Sequence, residues 1–223
     1  MSALVAFTAV AVTTVSKPAT MSRTSWTYEV PTAVGFLSYR PHLDEADRFD
    51  LAIRCIRYSE PDTAIERWTS ANMPQGLLAG WDLENRLDGV PDDAPDASVD
   101  RIHRTDLKKG RLIDLSTLAP HGASFRSTCM DHRIDVDTRD DGQRFDDFYT
   151  TNAGPAELGI IVDTIATFRL TLALGLSEVR RGAEMRAGAE HDLARWLETI
   201  GEDSGLRLPK IGTSPRIEGP SGA

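Results

Sequence analysis

An apolar stripe runs through the last part of the chain, between Gly154 and Gly201. Its members recur at alternating steps of three and four residues, which is the spacing of one face of an α-helix. Pro155 suits the first helical position, and Gly201 is a typical helix stop. The stripe consists of Leu158, Ile161, Ile165, Phe168, Leu172, Gly175, Val179, Gly182, Arg186, Ala189, Leu193, Trp196 and Ile200. The pattern predicts a long C-terminal helix over residues 154–201, as one rod or as two helices end to end.

The length of this helix limits how the chain can fold. At about 1.5 Å per residue the rod would be roughly 70 Å long, whereas a compact domain of this size is only about 45 Å across. The stripe turns small or charged at Gly182 and Arg186 before it becomes apolar again at Leu193. We therefore expect either a bend near Gly182, with the helix lying on its own domain, or a free part that contacts a second subunit or another protein.

The segments before this helix predict strands and one short helix. Alternating or β-rich residues predict strands at 26–30 and, after a turn at Pro31, at 34–39. Residues 48–58 fit a strand or a helix, with the strand favoured, and residues 76–87 fit either as well. Ser59 and Pro61 predict the start of a short helix that ends before Pro74. Further strands are predicted at 111–118, 124–130, 133–138 and 144–149, the last after a hairpin turn at Asp140-Asp141-Gly142.

This order of elements predicts an α+β fold: a mixed or antiparallel sheet with a short helix and one long, kinked or straight, C-terminal helix. Residues 23–201 are expected to form a single domain. Residues 1–22 are interpreted as a flexible leader because their apolar run is short and lacks preceding basic residues, with Met21 as an alternative start. The Asp-rich segment 88–100 is expected to be an acidic loop, and residues 202–223 a disordered tail.

Charge and cysteine content narrow the classes of function. The net charge is −9, which argues against a nucleic-acid or anionic membrane surface as partner. Only Cys55 and Cys129 are present, too few for a disulfide framework, so a reducing cytoplasm is expected. No nucleotide-binding loop, dinucleotide fingerprint or zinc motif occurs in the sequence, and the cofactor remains unknown.

One polar cluster, residues 131–137, is the best candidate for chemistry. On a strand, Asp131, Asp135 and Asp137 would share one face with Arg133, while His132 would point the other way. Asp131, His132 and Asp135 are therefore candidate catalytic residues, one acid acting beside an ionised neighbour. Asp135 and Asp137 are candidate ligands for Mg²⁺ or Ca²⁺. The competing interpretation is a solvated sheet face whose charges Arg133 balances.

Two functions follow from these features. The favoured one is a cytoplasmic interaction protein that self-associates, or docks on another protein, through its long C-terminal helix. The alternative is a small-molecule enzyme or ligand-binding protein whose cavity lies between the sheet and that helix and contains the His/Asp cluster. A carboxylate-containing cavity beneath the helix would favour the alternative, and an exposed apolar stripe would favour interaction. The sequence leaves open whether the protein is an enzyme.

Overall fold

The computed structural model describes residues 6–21, 24–57, 59–61, 64–72, 76–83, 112–150, 153–176 and 182–204. Five strands form one mixed sheet in the order β3-β2-β1-β4-β5. β3, β2 and β1 are antiparallel neighbours, whereas β1, β4 and β5 run parallel. The strands are β1 (Phe7–Met21), β2 (Thr24–Tyr39), β3 (Phe49–Cys55), β4 (Leu77–Gly80) and β5 (Leu112–Asp114).

Helices cover both faces of this sheet. They are α1 (Ala64–Asn72), α2 (Phe125–Asp131), α3 (Asp141–Thr150), α4 (Ala153–Gly175) and α5 (Gly182–Ser204). α1 packs on one face, where Trp68 stacks on Phe36 of β2 at a ring distance of 5.6 Å. α4 lies on the other face, where Phe168 stacks on Phe7 of β1 at 5.2 Å. The α+β class predicted from the sequence is confirmed.

β1 corrects the interpretation of residues 1–22 as a flexible leader. Residues 7–21 form the central strand of the sheet, paired with β2 along their whole length and with β4 over residues 7–10. The apolar run is continuous because this strand is buried on both faces. Phe7 and Ala9 belong to the core under α4, and Val10 and Val12 to the core under α1. Residues 1–5 and 22 lie outside the described residues.

Pro31 does not form the predicted turn. The predicted strands 26–30 and 34–39 are parts of the single strand β2, and Pro31 stands opposite Thr14 where the register with β1 shifts. A proline fits a sheet at such an irregularity because the ladder hydrogen bonds are already interrupted there. The strand interpretation of residues 48–58 is confirmed by β3 (Phe49–Cys55). Within residues 76–87, which fitted a strand or a helix, residues 77–80 form β4, Leu83 is helical, and residues 84–87 lie outside the described residues.

Two of the predicted strands are helices. The predicted strand 124–130 falls on α2 (Phe125–Asp131) and its N-cap Ser124. The helix begins at a capping box in which the side chains of Ser124 and Ser127 each accept a hydrogen bond from the other's backbone N–H. Residues 144–149 lie in α3, where Asp140 and Gln143 make the same reciprocal pair at 2.8 and 3.0 Å. Asp140 therefore starts a helix instead of a hairpin turn. Residues 133–138, predicted as a strand, are not one: Arg133 lies in a turn, and residues 134–140 form an irregular connection.

α4 is the buried centre of the helical layer. Ile161, Ile165 and Phe168 face the sheet, while Ala166 and Leu170 pack against Trp81 and residues of α2. Its buried threonine hydroxyls donate to backbone carbonyls four residues earlier, so they bring no unpaired polar atom into the core. The apolar stripe from Ile161 to Leu172 is thus used inside the protein's own core, whereas Leu158 at its start is exposed.

By length and composition, one helix in the described ranges, Gly154–Gly175, could cross a membrane. The buried share of its most apolar window is 78%. A core helix passes the same test of length and composition, and α4 has the contacts of a core helix.

The predicted long helix is two helices. A straight helix would separate residues 169 and 190 by about 31 Å, yet Arg169 Nε lies 3.7 Å from Glu190 Oε1. The chain therefore folds back between α4 and α5. A methyl group on Gly182 would overlap the carbonyl oxygen of Leu176, so a glycine is needed where the second helix begins. Residues 202–204 of the predicted disordered tail belong to α5. Residues 205–223 of that tail and the predicted acidic loop 88–100 lie outside the described residues.

Candidate functional site

A cavity of about 350 Å³ opens where the strand pairing between β1 and β4 stops. We call it the strand-end cavity. β4 accompanies β1 only as far as the pair Val10–Gly80 and then turns away, while β1 continues beside β2. Ligands in open α/β sheets bind at such positions, beyond the carboxyl ends of parallel strands where the strand order changes direction. The cavity is lined by Val10, Ala11, Val12, Trp81, Ser124, Phe125, Arg126, Val136, Asp137, Arg139, Asp140, Arg144, Asp163 and Thr167.

The carboxyl end of β4 is held in an unusual backbone conformation. Asp82 follows Trp81 and has a positive φ of 49°, which is uncommon for a residue with a side chain. Its backbone N–H donates to Asp114 Oδ1 at 2.9 Å, and the same oxygen accepts from Ser116. These hydrogen bonds connect the ends of β4 and β5 and thereby fix the position of Trp81. The ring centroids of Trp81 and Phe125 are 5.8 Å apart.

Arg139 organises the charged wall of the cavity. Its Nε and Nη2 donate to the Asp137 carboxylate at 2.8 to 3.0 Å, and its Nη1 donates to Asp147 of α3 at 2.5 Å. The guanidinium lies directly over Gly159 of α4: a methyl group there would overlap Arg139 and lie 2.7 Å from Asp137 Oδ2. Glycine at this position lets the irregular connection 134–140 approach the helix.

These contacts also set the ionisation of the pair. Burial alone would raise the pKa of the Asp137 carboxyl, but the hydrogen bonds and charge of Arg139, with the charge of Arg144, hold it below its ordinary value. Burial alone would lower the pKa of the Arg139 guanidinium, and Asp137 and Asp147 raise it above its ordinary value. Both groups therefore stay charged at neutral pH.

Arg144 and Asp163 complete the wall. Asp163, on α4, accepts a hydrogen bond from the backbone N–H of Asp137 at 3.0 Å. Arg144, on α3, lies 3.5 Å from Asp137 Oδ2 and 3.6 Å from Asp163 Oδ2. The guanidinium groups of Arg139 and Arg144 and the carboxylates of Asp137, Asp147 and Asp163 thus form one connected cluster between α3, α4 and the irregular connection. This cluster is the charged wall of the cavity.

The structure separates the residues that the sequence grouped on one strand face. Asp131 ends α2 and is exposed, His132 is the residue that caps that helix, and Asp135 is exposed on the irregular connection. Only Asp137 lines the strand-end cavity. The predicted alternation is wrong because residues 131–137 are not a strand.

The described residues give no support to a metal centre at Asp135 and Asp137. Asp137 is held by Arg139 and Arg144, and within the described ranges no three His, Cys, Asp or Glu side chains are grouped so that they could hold a metal ion. The metal-binding role of Asp135 and Asp137 therefore stays a prediction from sequence.

Sequence reasoning missed Arg126, Arg139, Arg144 and Asp163. A signal existed for Asp163, since an acid among the apolar residues of a helix needs a partner when that helix is buried. The three arginines carried no such signal, because their approach depends on two short helices that the sequence pattern presented as strands.

The two cysteines do not add a nucleophile. Burial, with the nearby charge of Glu157, raises the pKa of the Cys55 thiol to about 11. Burial, with Asp163, raises that of Cys129 to about 12. A thiol that keeps its proton at neutral pH is a poor nucleophile.

Two further cavities are present in the described part of the chain. One, of about 430 Å³, lies between β3, α3 and α4 and shares Arg144 with the strand-end cavity. The other, of about 460 Å³, lies near the start of β1 and is lined by Phe7, Phe36 and Tyr39 among others. Neither of these two cavities lies at the carboxyl end of a parallel strand beside the charged cluster of Arg139.

No protein-family model matches the chain, and no curated protein is significantly similar to it.

Proposed function

We propose that this protein binds a small polar molecule in the strand-end cavity, between the sheet and α4. The single observation that carries the proposal is the cavity's lining: residues 10–12 of β1 with the rings of Trp81 and Phe125 on one side and fixed charged groups on the other, at the point where β4 leaves β1. A cavity of about 350 Å³ lies within the range of small-molecule sites, which pair an apolar surface with a few placed polar groups.

The apolar stripe gives less support to the interaction function favoured from sequence. Leu193 and Leu197 of α5 are buried in the core with Phe168, and Trp196 packs against Phe49 at 5.3 Å. A partner would have to use the remaining exposed surface, such as Leu158 on α4. Self-association through the C-terminal helix, docking of another protein there and a cytoplasmic location remain predictions.

The proposal is tested by mapping where small polar fragments bind, using backbone amide NMR shifts of the full chain. We expect shifts that cluster at residues 10–12, 81 and 136–139. Val136→Trp should remove them, because the larger side chain fills the cavity, whereas Leu118→Trp, at an exposed position outside the lining, should leave them unchanged. Fragments that bind elsewhere, or that bind Val136→Trp as well as the wild type, would contradict the proposal.

A further inference from the structure

Arg144 is a largely buried guanidinium whose hydrogen-bonding capacity is not used within the described residues. Its side chain is 20% exposed, and its two carboxylate neighbours lie 3.5 and 3.6 Å away. Its Nε atom is buried and has no hydrogen-bond acceptor among the residues that the structure describes. Arg139, in the same cluster, has contacts of 2.5 to 3.0 Å. A buried charged donor without an acceptor is costly, so Arg144, which lines the cavity, gains from an acceptor placed beside its guanidinium.

The acids around the cavity are already engaged. Asp137 accepts from the side chain and the backbone of Arg139, and Asp163 accepts from the backbone of Asp137. Asp140 accepts from the backbone of Gln143 at the start of α3. Each of these acids thus has at least one donor among the described residues, whereas the Nε atom of Arg144 has no acceptor there.

A second arginine points to the same ligand chemistry. Arg126, in the first turn of α2, is exposed and lines the same cavity. Across the described part of the chain it forms no ion pair. Next to it lies the ring of Phe125, and Trp81 and Ala11 line the cavity as well.

We infer that the ligand of the strand-end cavity is an organic anion. Its carboxylate or phosphate group accepts hydrogen bonds from Arg144 inside the cavity and from Arg126 at the rim, and its apolar part lies against Phe125, Trp81 and Ala11. Arginine suits this task because its planar donors match the oxygens of both groups. This inference rests on the proposed function and adds the charge of the ligand.

Titration calorimetry with four probes of similar size tests the inference on the full chain. Phenylphosphate and benzoate are the anionic probes, benzyl alcohol is neutral and benzylamine is cationic. We expect at least one anion to bind about tenfold more tightly than benzyl alcohol, as is typical of a hydrogen bond to a charged group. Benzylamine should bind more weakly than benzyl alcohol. The order of phenylphosphate and benzoate distinguishes a phosphate site from a carboxylate site.

Variants then assign the effect to the two arginines. Arg126→Gln should weaken binding of the preferred anion by about fivefold to tenfold and leave the binding of benzyl alcohol unchanged. Arg195→Gln is the control, since it removes the same charge at an exposed position of α5 that pairs with Glu45 at 2.9 Å. Arg144→Gln should abolish the preference for anions. If that variant does not fold, Arg126→Gln alone decides the test.

The outcomes separate this inference from the proposed function. Equal binding of the neutral and anionic probes, or anion binding that Arg126→Gln and Arg195→Gln weaken alike, would overturn the anion inference while leaving the cavity as a binding site. No binding by either anion would also overturn it. The fragment map with Val136→Trp decides the proposed function independently, because it does not depend on the charge of the fragment.

Discussion

At the scale of single residues, the candidate site depends on a close fit between Arg139 and Gly159. The guanidinium occupies the space that a side chain on α4 would fill and from there holds Asp137 and Asp147. Glycine inside a helix has a cost of about 1 kcal/mol relative to alanine. At position 159 that cost is offset by the contacts of Arg139 with Asp137 and Asp147, because any side chain on α4 at this position would displace the guanidinium.

Gly159→Ala should therefore destabilise the protein, although alanine is the better helix former. We expect the free energy of unfolding to fall by about 2 kcal/mol, because the new methyl group displaces Arg139 from its two carboxylates. Gly188→Ala on α5 is the matched control, since no described atom lies within 4 Å of the added methyl group. It should raise stability by up to about 1 kcal/mol. Urea denaturation measures both, and equal effects of the two substitutions would contradict the fit.

Tyr39 is a second residue with a measurable consequence. Its hydroxyl donates to Asp192 Oδ2 at 3.2 Å, and Arg48 holds the other oxygen of that carboxylate at 2.8 Å. Burial, reinforced by the charge of Asp192, raises the pKa of the phenol from 10.0 to about 12. The folded chain thus keeps a proton that the unfolded chain releases in this interval.

Stability should consequently fall as the pH rises from 10 to about 12. The contribution of Tyr39 is fully present below pH 10 and is lost as the phenol ionises in the folded state. Tyr39→Phe removes the ionisable group, so its stability should decline less over the same interval even if it starts lower. Urea midpoints at several alkaline pH values measure the difference, and parallel declines in the two proteins would refute the assignment.

At the scale of elements, β1 shows what the sequence can and cannot predict. The apolar run at residues 4–12 was visible in the sequence, but a strand that is buried on both faces has no alternation to distinguish it from a targeting segment. The α4 stripe, by contrast, repeats over many turns, and that periodicity predicts which face of the helix is buried.

A chain that begins at Met21 should fail to fold. It would lack the strand that joins β2 to β4 and the apolar side chains of Phe7, Ala9, Val10 and Val12 in the two main cores. Circular dichroism and a thermal melt compare this truncation with the full chain. A cooperative transition at the wild-type temperature would show that β1 is dispensable and would contradict the fold described above.

The two misassigned helices have a common physical cause. α2 is only a seven-residue helix, too short to show a helical period, and both α2 and α3 begin at reciprocal pairs of polar side chains. Ser124 with Ser127, and Asp140 with Gln143, are also common in turns. The charged wall of the cavity could not be predicted because Arg126 and Arg144 lie on these helices.

At the scale of the whole molecule, α5 closes the core that α4 and the sheet leave open. Ala189, Leu193 and Leu197 are buried there, and Trp196 packs on Phe49 of β3. Charged contacts anchor the helix at several points, including Arg48–Asp192 and Arg169–Glu190. α5 therefore stabilises the fold of its own chain, whether or not its exposed surface also binds a partner.

Trp196→Asp should lower the stability of the monomer by about 3 kcal/mol, because it removes the aromatic contact and places a charge beside Phe49. Glu198→Asp, at an exposed position on the same helix, is the control and should change stability little. Thermal melts and light scattering behind a sizing column measure folding and assembly together. A Trp196→Asp monomer as stable as the wild type would mean that this ring is not part of the core.

The central claim, an organic anion in the strand-end cavity, is tested most directly by a crystal structure of the full chain with 4-bromobenzoate. The bromine gives an anomalous signal that locates the probe directly in the crystal. We predict one strong peak inside the cavity, with the carboxylate oxygens of the probe within hydrogen-bond distance of Arg144 or Arg126. A peak at another place, or a probe in the cavity whose carboxylate faces away from both arginines, would contradict the account.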